Sequence, residues 1–322
     1  MRAVVQHSYG PPSVLTSAQV QVPLPGPGDV LVQVGAASVH PGDHFLMTGM
    51  PYMVRLVFGL RRPRQIVPGM DLAGVVVAVG KDVTDFRRGE EVFGWRTGGA
   101  FAEYACVPAK NLVRKPVTVT MEEAAAVPTS AMAALQALSG IADVQPGQQV
   151  LIVGASGGVG SFAVQIAKAC GAEVTAVCST RNIDLVKSLG ADHVIDYTET
   201  DFTSGDERYD VIFDNVEAQP LAAVRRVLAP TGILIPNNGH GGRWFGPLGR
   251  IMKARILSGF TSQRLRPFTS LGKREDLLVL ADLLATGQIK PLIDRTYPLD
   301  DAAAALTYVG EGHTQGKVVI SI

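Results

Sequence analysis

The chain is short of several things, and each shortage excludes something. It has three cysteines in 322 residues: Cys106, Cys170 and Cys178. None belongs to a CxxC pair, and an odd count suits a reducing compartment better than a disulfide framework. Neither charge is in excess, since 29 Lys and Arg balance 29 Asp and Glu. With no basic face implied, nucleic acid is not an expected partner. No apolar run approaches the ~18 residues that a membrane span needs. The N-terminal "MRAVVQHSYGPPSVL" lacks the apolar core of a signal peptide. A soluble cytoplasmic protein is therefore expected. Internal repeats and low-complexity segments are also missing. One absence is local: "CSTRNI", residues 178–183, contains no acid.

What is present divides by pattern. The length exceeds one ordinary hydrophobic core, so two domains are expected. Residues 29–39, 74–80 and 102–108 read as strands among frequent Gly and Pro turns, which suggests a β-rich, partly barrel-like region over 1–119. From 120 the chain turns helical and alanine-rich. Thr120 and Glu123 fit a capping box, and Pro128 should kink or restart the helix. From 148 strands and helices alternate, with "QQVLIVG", "EVTAVC", "HVIDY", "YDVIFDNV" and "GILIPNN" as strands and "LAAVRRVLAPTG" as the helix between the last two. That alternation over 120–262 means a parallel sheet covered by helices. The last pieces, 263–322, are too few to form a domain and are expected to return to the first.

"LIVGASGGVGSFAVQIA" (151–167) follows a strand and opens a helix. In that context Ser156, Gly157, Gly158, Val159 and Gly160 read as a pyrophosphate-binding turn, with the anion on the helix N-terminus.

Here the chain resembles a known family. Together with "GASGGVG" (154–160), the stretches "ASVHPGD" (37–43), "VPGMDLAGVVVAVG" (67–80), "GEEVFG" (89–94), "GGAFAEYACVP" (98–108), "GADHVIDY" (190–197), "YDVIFDNV" (209–216) and "GKVVI" (316–320) are similar to those of the zeta-crystallin-like, zinc-independent quinone oxidoreductases. These form a branch of the medium-chain dehydrogenase/reductase superfamily. The resemblance implies an α/β fold in which a doubly wound Rossmann sheet is inserted into a GroES-like, partly open β-barrel domain. It also implies NAD(P)H-dependent reduction of quinones or α,β-unsaturated carbonyls, commonly by a homodimer.

Zinc-using members of the superfamily ligate their metal through a loop cysteine, a His-Glu pair and a later Cys or Asp. Here His40 stands near the first position and Met70-Asp71 replaces the pair. His40, His44 and Asp71 remain as conceivable ligands, but methionine is a poor one, and the four clustered cysteines of a structural zinc site are missing. No metal is expected.

The resemblance puts His40 beside the nicotinamide, where relatives carry Asn. It is either a proton donor, given a reference pKa of ~6.5, or only a hydrogen-bond donor. Asp43 is expected to cap a turn. Tyr52 is a second candidate donor or a pocket wall. Thr129 lies one turn before Ala133, which replaces a common Thr. Asn215 and Asn237 follow strands and are candidate contacts to adenosine and nicotinamide. Trp244 and Phe245 are candidates for the substrate wall or subunit contact, the basic residues of 241–257 for a solvated face, and 255–262 for an exposed edge strand.

The acid missing from 178–183 would bind the ribose of NADH and repel a 2′-phosphate. Ser179, Thr180 and Arg181 stand in its place, and the resemblance adds Tyr197. They point to NADPH. Two other readings stay open on the sequence: a zinc-free alcohol or carbonyl reductase, and a non-catalytic NADPH-binding protein.

Overall fold

A computed structural model describes residues 1–237 and 262–322. Contacts divide the chain into two units, Met1–Met132 with Gly272–Ile322, and Ala133–Leu271.

The first unit pairs β1 (Arg2–Gln6) with β2 (Leu15–Gln19) in a small sheet and builds a larger one on β3 (Asp29–Val39), an 11-residue strand with apolar side chains on both faces. Around it lie β4 (Asp71–Val79), β5 (Glu91–Trp95), β6 (Tyr104–Pro108), β7 (Leu112–Arg114), β14 (Ile293–Pro298) and β15 (Lys317–Ser321) in one seven-stranded sheet. The order is β14-β15-β3-β4-β5-β7, and β6 also pairs with β3. The chain's last strand thus sits inside the sheet, with Val318 opposite Val39 and Val319 opposite Ser38. Val30, Val32, Leu72, Val76, Phe101 and Ile320 are among the residues of its buried core.

The second unit holds a six-stranded parallel sheet: β8 (Gln149–Val153), β9 (Glu173–Cys178), β10 (His193–Asp196), β11 (Tyr209–Asp214), β12 (Leu228–Pro236) and β13 (Arg264–Leu265). Its order, β10-β9-β8-β11-β12-β13, puts the first strand in the middle. This is the doubly wound arrangement whose strand order reverses beside β8 and leaves a crevice at the carboxyl ends.

Two expectations need correction. The division falls at 132/133 and 271/272, not at 119/120 and 262/263. The Met121–Ala125 helix begins at the expected Thr120–Glu123 capping box and packs on β3 and β4, which holds it in the first unit. At the other boundary, the Gln136 side chain bonds Ser270 and both backbone groups of Leu271, which keeps 263–271 with the second. The helix expected over 221–232 ends at Arg226. Leu228 already pairs with Tyr209, and the ladder resumes at Ile233 opposite Val211 after an irregular insert. Pro230 at the insert lacks the N–H that a continuing helix needs.

Segment 241–257, with Trp244 and Phe245, lies outside the described residues. So does 255–262, except Ser262.

Candidate functional site

In the first unit a polar cluster is buried within an apolar sheet. It begins where β3 ends. His40 is extended (φ −143°, ψ 165°) and caps the Pro41–Thr48 helix, whose first residue is a proline preset for that position. His40 Nδ1 accepts from Gly42 N at 3.0 Å, and Asp43 Oδ2 accepts from His40 N at 3.0 Å. Asp43 therefore caps the turn as expected. The acceptor role of Nδ1 assigns the ring proton to Nε2.

His40 Nε2 and Asp43 Oδ1 are buried, and neither has a hydrogen-bond partner among the described residues. Nε2 stands 3.5 Å from Asp43 Oδ2. This contact is not an ion pair, because burial, reinforced by Lys317, pushes the imidazole down to about 3. Burial likewise pushes the Asp43 carboxyl up to about 8. Each group is thus neutral in the folded chain at neutral pH.

Asp71 opens β4 opposite Ser38 of β3. Its Oδ1 accepts from Thr129 Oγ1 at 2.6 Å, and its Oδ2 accepts from Thr129 N at 3.1 Å and Ser38 Oγ at 3.4 Å. Burial raises its pKa, while Lys317 and these donors oppose the rise. Lys317, the first residue of β15, is buried and donates from Nζ to Val39 O at 3.3 Å. Burial lowers its pKa, and Asp71 and Asp43 hold it up. The sequence reading passed over this lysine. Its one signal was a charged residue opening the apolar terminal strand "KVVIS".

Opposed titrations give the cluster a pH signature. Asp43 keeps its proton to about pH 8 when folded, but its ordinary value is 3.8. The unfolded chain binds fewer protons in that window, so stability falls as pH rises through it. His40, at about 3 folded against 6.5 ordinarily, makes stability rise with pH over its own window. The slopes oppose below 6.5, and above it Asp43 acts without His40. Denaturant unfolding is expected to show stability falling by up to about 1.4 kcal/mol per pH unit over that upper window. Asp43→Asn keeps the acceptor for His40 N and should flatten the fall. The same slope in the variant would remove Asp43 as its source.

Tyr52 precedes the Met53–Phe58 helix, and the Arg55 guanidinium stacks on its ring at 4.9 Å.

In the second unit the glycine turn joins β8 to the Gly160–Ala169 helix. Gly154 has φ +74°, a conformation side chains rarely adopt. A Cβ at Gly160 would collide with the backbone at Gly154 O and Ala155 Cα. A Cβ at Gly157 would meet nothing nearer than Gly154 O at 3.5 Å. Val159 stands at the helix N-cap with no side-chain cap; of the first-turn N–H groups, Ser161 N already bonds Gly157 O at 2.9 Å, and the others would serve an anion. The turn thus fits a pyrophosphate: its glycines permit close approach and its helix presents donors.

Ser179, Thr180 and Arg181 follow β9 directly, and the backbone of Tyr197 bonds Cys178 O at 3.0 Å. The four lie together at the carboxyl ends of β9 and β10. Buried Asn182, which the sequence reading missed, donates to Ser156 Oγ at 2.8 Å and Ser179 Oγ at 3.3 Å. It ties the glycine turn to the segment after β9. Asp196, at the end of β10, was missed as well. Thr198 donates to its Oδ1 from N at 2.9 Å and from Oγ1 at 2.7 Å, the Thr180 hydroxyl meets Thr198 Oγ1 at 3.0 Å, and Thr180 and Thr198 hold the carboxyl below the usual carboxylate range. The region lacks an acid in its own segment and borrows one from the neighbouring strand, with one oxygen bonded to threonine. Asn215 and Asn237 meet, Asn237 Nδ2 donating to Asn215 Oδ1 at 2.8 Å.

Comparison with known proteins places this geometry. The alcohol dehydrogenase GroES-like domain model matches residues 26–117, and the zinc-binding dehydrogenase model matches 189–320. The chain is 33% identical to the chloroplast envelope quinone oxidoreductase homolog of Arabidopsis thaliana, over 99% of this chain and 98% of that one. It is 33% identical to the mitochondrial NAD(P)H oxidoreductase RTN4IP1 of Mus musculus, over 100% and 89%. The structure of the quinone oxidoreductase from Coxiella burnetii superposes with a TM-score of 0.88 at 28% identity, covering 100% and 99%. The chain belongs to the medium-chain dehydrogenase/reductase superfamily. Within it, the similarity runs to quinone oxidoreductase homologues, and the chain is an oxidoreductase of this NAD(P)H-dependent family.

The second family model carries zinc in its description. Met70 stands beside Asp71, Cys106 is a free thiol, and no group of three or more His, Cys, Asp or Glu among the described residues is placed to hold a metal.

Proposed function

We propose that the chain is an NADPH-dependent, zinc-free reductase that acts on a quinone or an α,β-unsaturated carbonyl. The observation that carries this reading is the group at the ends of β9 and β10: Ser179, Thr180, Arg181 and Tyr197 beside the open glycine turn. Bound NADPH would supply the hydride. The turn at Ser156–Gly160 would hold the pyrophosphate. The planar fork of exposed Arg181 suits the 2′-phosphate, with the Thr180 hydroxyl beside it.

The His40 Nε2–H would orient the accepting oxygen. An imidazole pushed down to about 3 carries almost no extra proton at neutral pH, so it acts as a donor of a hydrogen bond rather than of a proton. Thr129, locked by two bonds to Asp71, would line the same site. The expected homodimer and the cytoplasmic location belong to this proposal. The first rests on the family resemblance and the second on three free thiols. No described helix is long and apolar enough to cross a membrane.

The test is a substrate panel of quinones, enones and aldehydes with NADPH and with NADH, read as cofactor oxidation. Quinones or enones with NADPH should turn over fastest. Turnover of aldehydes alone, or of nothing, overturns the reading.

Two variants sharpen it. Arg181→Ala is expected to weaken NADPH binding by roughly 10- to 150-fold and to leave NADH binding nearly unchanged. Equal affinity of the unaltered protein for both cofactors would show that Arg181 does not read phosphate. His40→Ala should lower kcat by about 10²-fold or more, while His40→Asn retains most of it. Equal losses in both variants would contradict the hydrogen-bond role.

A further inference from the structure

The segment between Asp43 and Asp71 contains four arginines and no acid, in a chain whose net charge is zero. Its Met53–Phe58 helix is turned the unusual way round. Met53, Leu56 and Val57 fall at i, i+3 and i+4, the spacing of a stripe that ordinarily faces a core, and Leu60 follows beyond Gly59, which ends the helix. Here that stripe faces solvent: Leu56 and Val57 are each 63% exposed and Leu60 67%. The opposite side is the anchored one. The Arg55 guanidinium stacks on Tyr9 and Tyr52 at 4.6 and 4.9 Å, and its Nε donates to Gly49 O at 2.9 Å. The helix is pinned by its polar residue and displays its apolar ones. Directly after the stripe, Arg61, Arg62 and Arg64 are exposed.

We propose that this face docks on an anionic lipid surface, with the aliphatic stripe entering the acyl boundary and Arg61, Arg62 and Arg64 meeting lipid phosphates. Aliphatic side chains held outward with an arginine collar, and no acid among them, form the charge complement of such a surface. A second copy fits poorly, because a two-fold contact presents the same acid-free face and leaves the arginines without a partner of opposite charge. Docking would bring the chain to the phase where long-tailed quinones dissolve.

Vesicle co-sedimentation of the full chain tests this. Vesicles of phosphatidylcholine containing roughly one phosphatidylglycerol in four should capture the protein, pure phosphatidylcholine should capture little, and added salt should release it. Arg61→Glu with Arg62→Glu should lower partitioning by about 30-fold. Leu56→Ser, Val57→Ser and Leu60→Ser together should lower it by about 10-fold or more. These side chains are exposed, and an unchanged melting temperature confirms that the variants fold. Three results overturn the proposal: no capture of the folded protein, equal capture by neutral vesicles, or capture indifferent to both sets of substitutions. Self-association abolished by the serine substitutions would overturn it too, by assigning the face to a second copy. The assay needs neither cofactor nor turnover, so docking and the reductase reading stand or fall separately.

Discussion

Lys317→Met is expected to cost the folded chain about 3–5 kcal/mol at pH 8, where the carboxyls it faces are most ionised. Methionine matches the lysine stem in length, so packing changes little and the effect reports charge. Two buried acids, Asp43 and Asp71, would lose the cation that interacts with both. The loss should shrink as pH falls, because Asp43, held up to about 8, takes up its proton. Adding Asp71→Asn should recover part of it, since removing both charges is far less costly than removing one. Denaturant unfolding at pH 8 and pH 5 decides the matter. A loss of the same size at both would mean that Lys317 acts through packing alone.

Gly160→Ala and Gly157→Ala should separate two demands that one glycine cluster meets. At Gly160 the new methyl meets backbone atoms of Gly154 and Ala155, and no flexible side chain can yield. The turn itself has to move, so a loss of about 3 kcal/mol in stability is expected, with cofactor binding lost alongside. At Gly157 the methyl meets only ordinary contact distance, so stability should stay within about 0.5 kcal/mol. Its methyl would instead stand where the pyrophosphate approaches, and NADPH affinity should fall while the melting temperature holds. Thermal melts with and without NADPH measure both effects. A stable Gly160→Ala protein would contradict the close approach of the helix to the turn.

Much of this architecture was legible because its periods are strong. β8, β9 and β11 are apolar runs between turn residues, and Gly171 and Gly190 end helices with φ of +80° and +103°. The helix over 221–232 was misread because Ala, Arg and Leu favour helix locally, whereas pairing with β11 takes Leu228 into the sheet. The residues proposed for the cofactor could be picked out for a similar reason: they fall in short runs at strand ends. The buried cluster could not. Asp71, Thr129 and Lys317 are far apart in the chain, and only the fold brings them into one place. Asn182 and Asp196 escaped notice because their roles are to hold Ser156 and Thr198, and a hydrogen bond between side chains leaves no period in a sequence.

The position of β15 inside the first sheet has a consequence for synthesis. Residues 133–271 are complete on the nascent chain while the strand that pairs with β3 is still to be made. The second unit is therefore free to fold as it leaves the ribosome, but the first has to wait for the terminal segment. Until then β3 offers an open edge, and Asp43 and Asp71 stand without their lysine. A ribosome stalled just short of Lys317 would carry a finished nucleotide-binding half and an N-terminal half exposed to proteases and chaperones. A truncation of the last six residues would leave the released protein in that same half-built state.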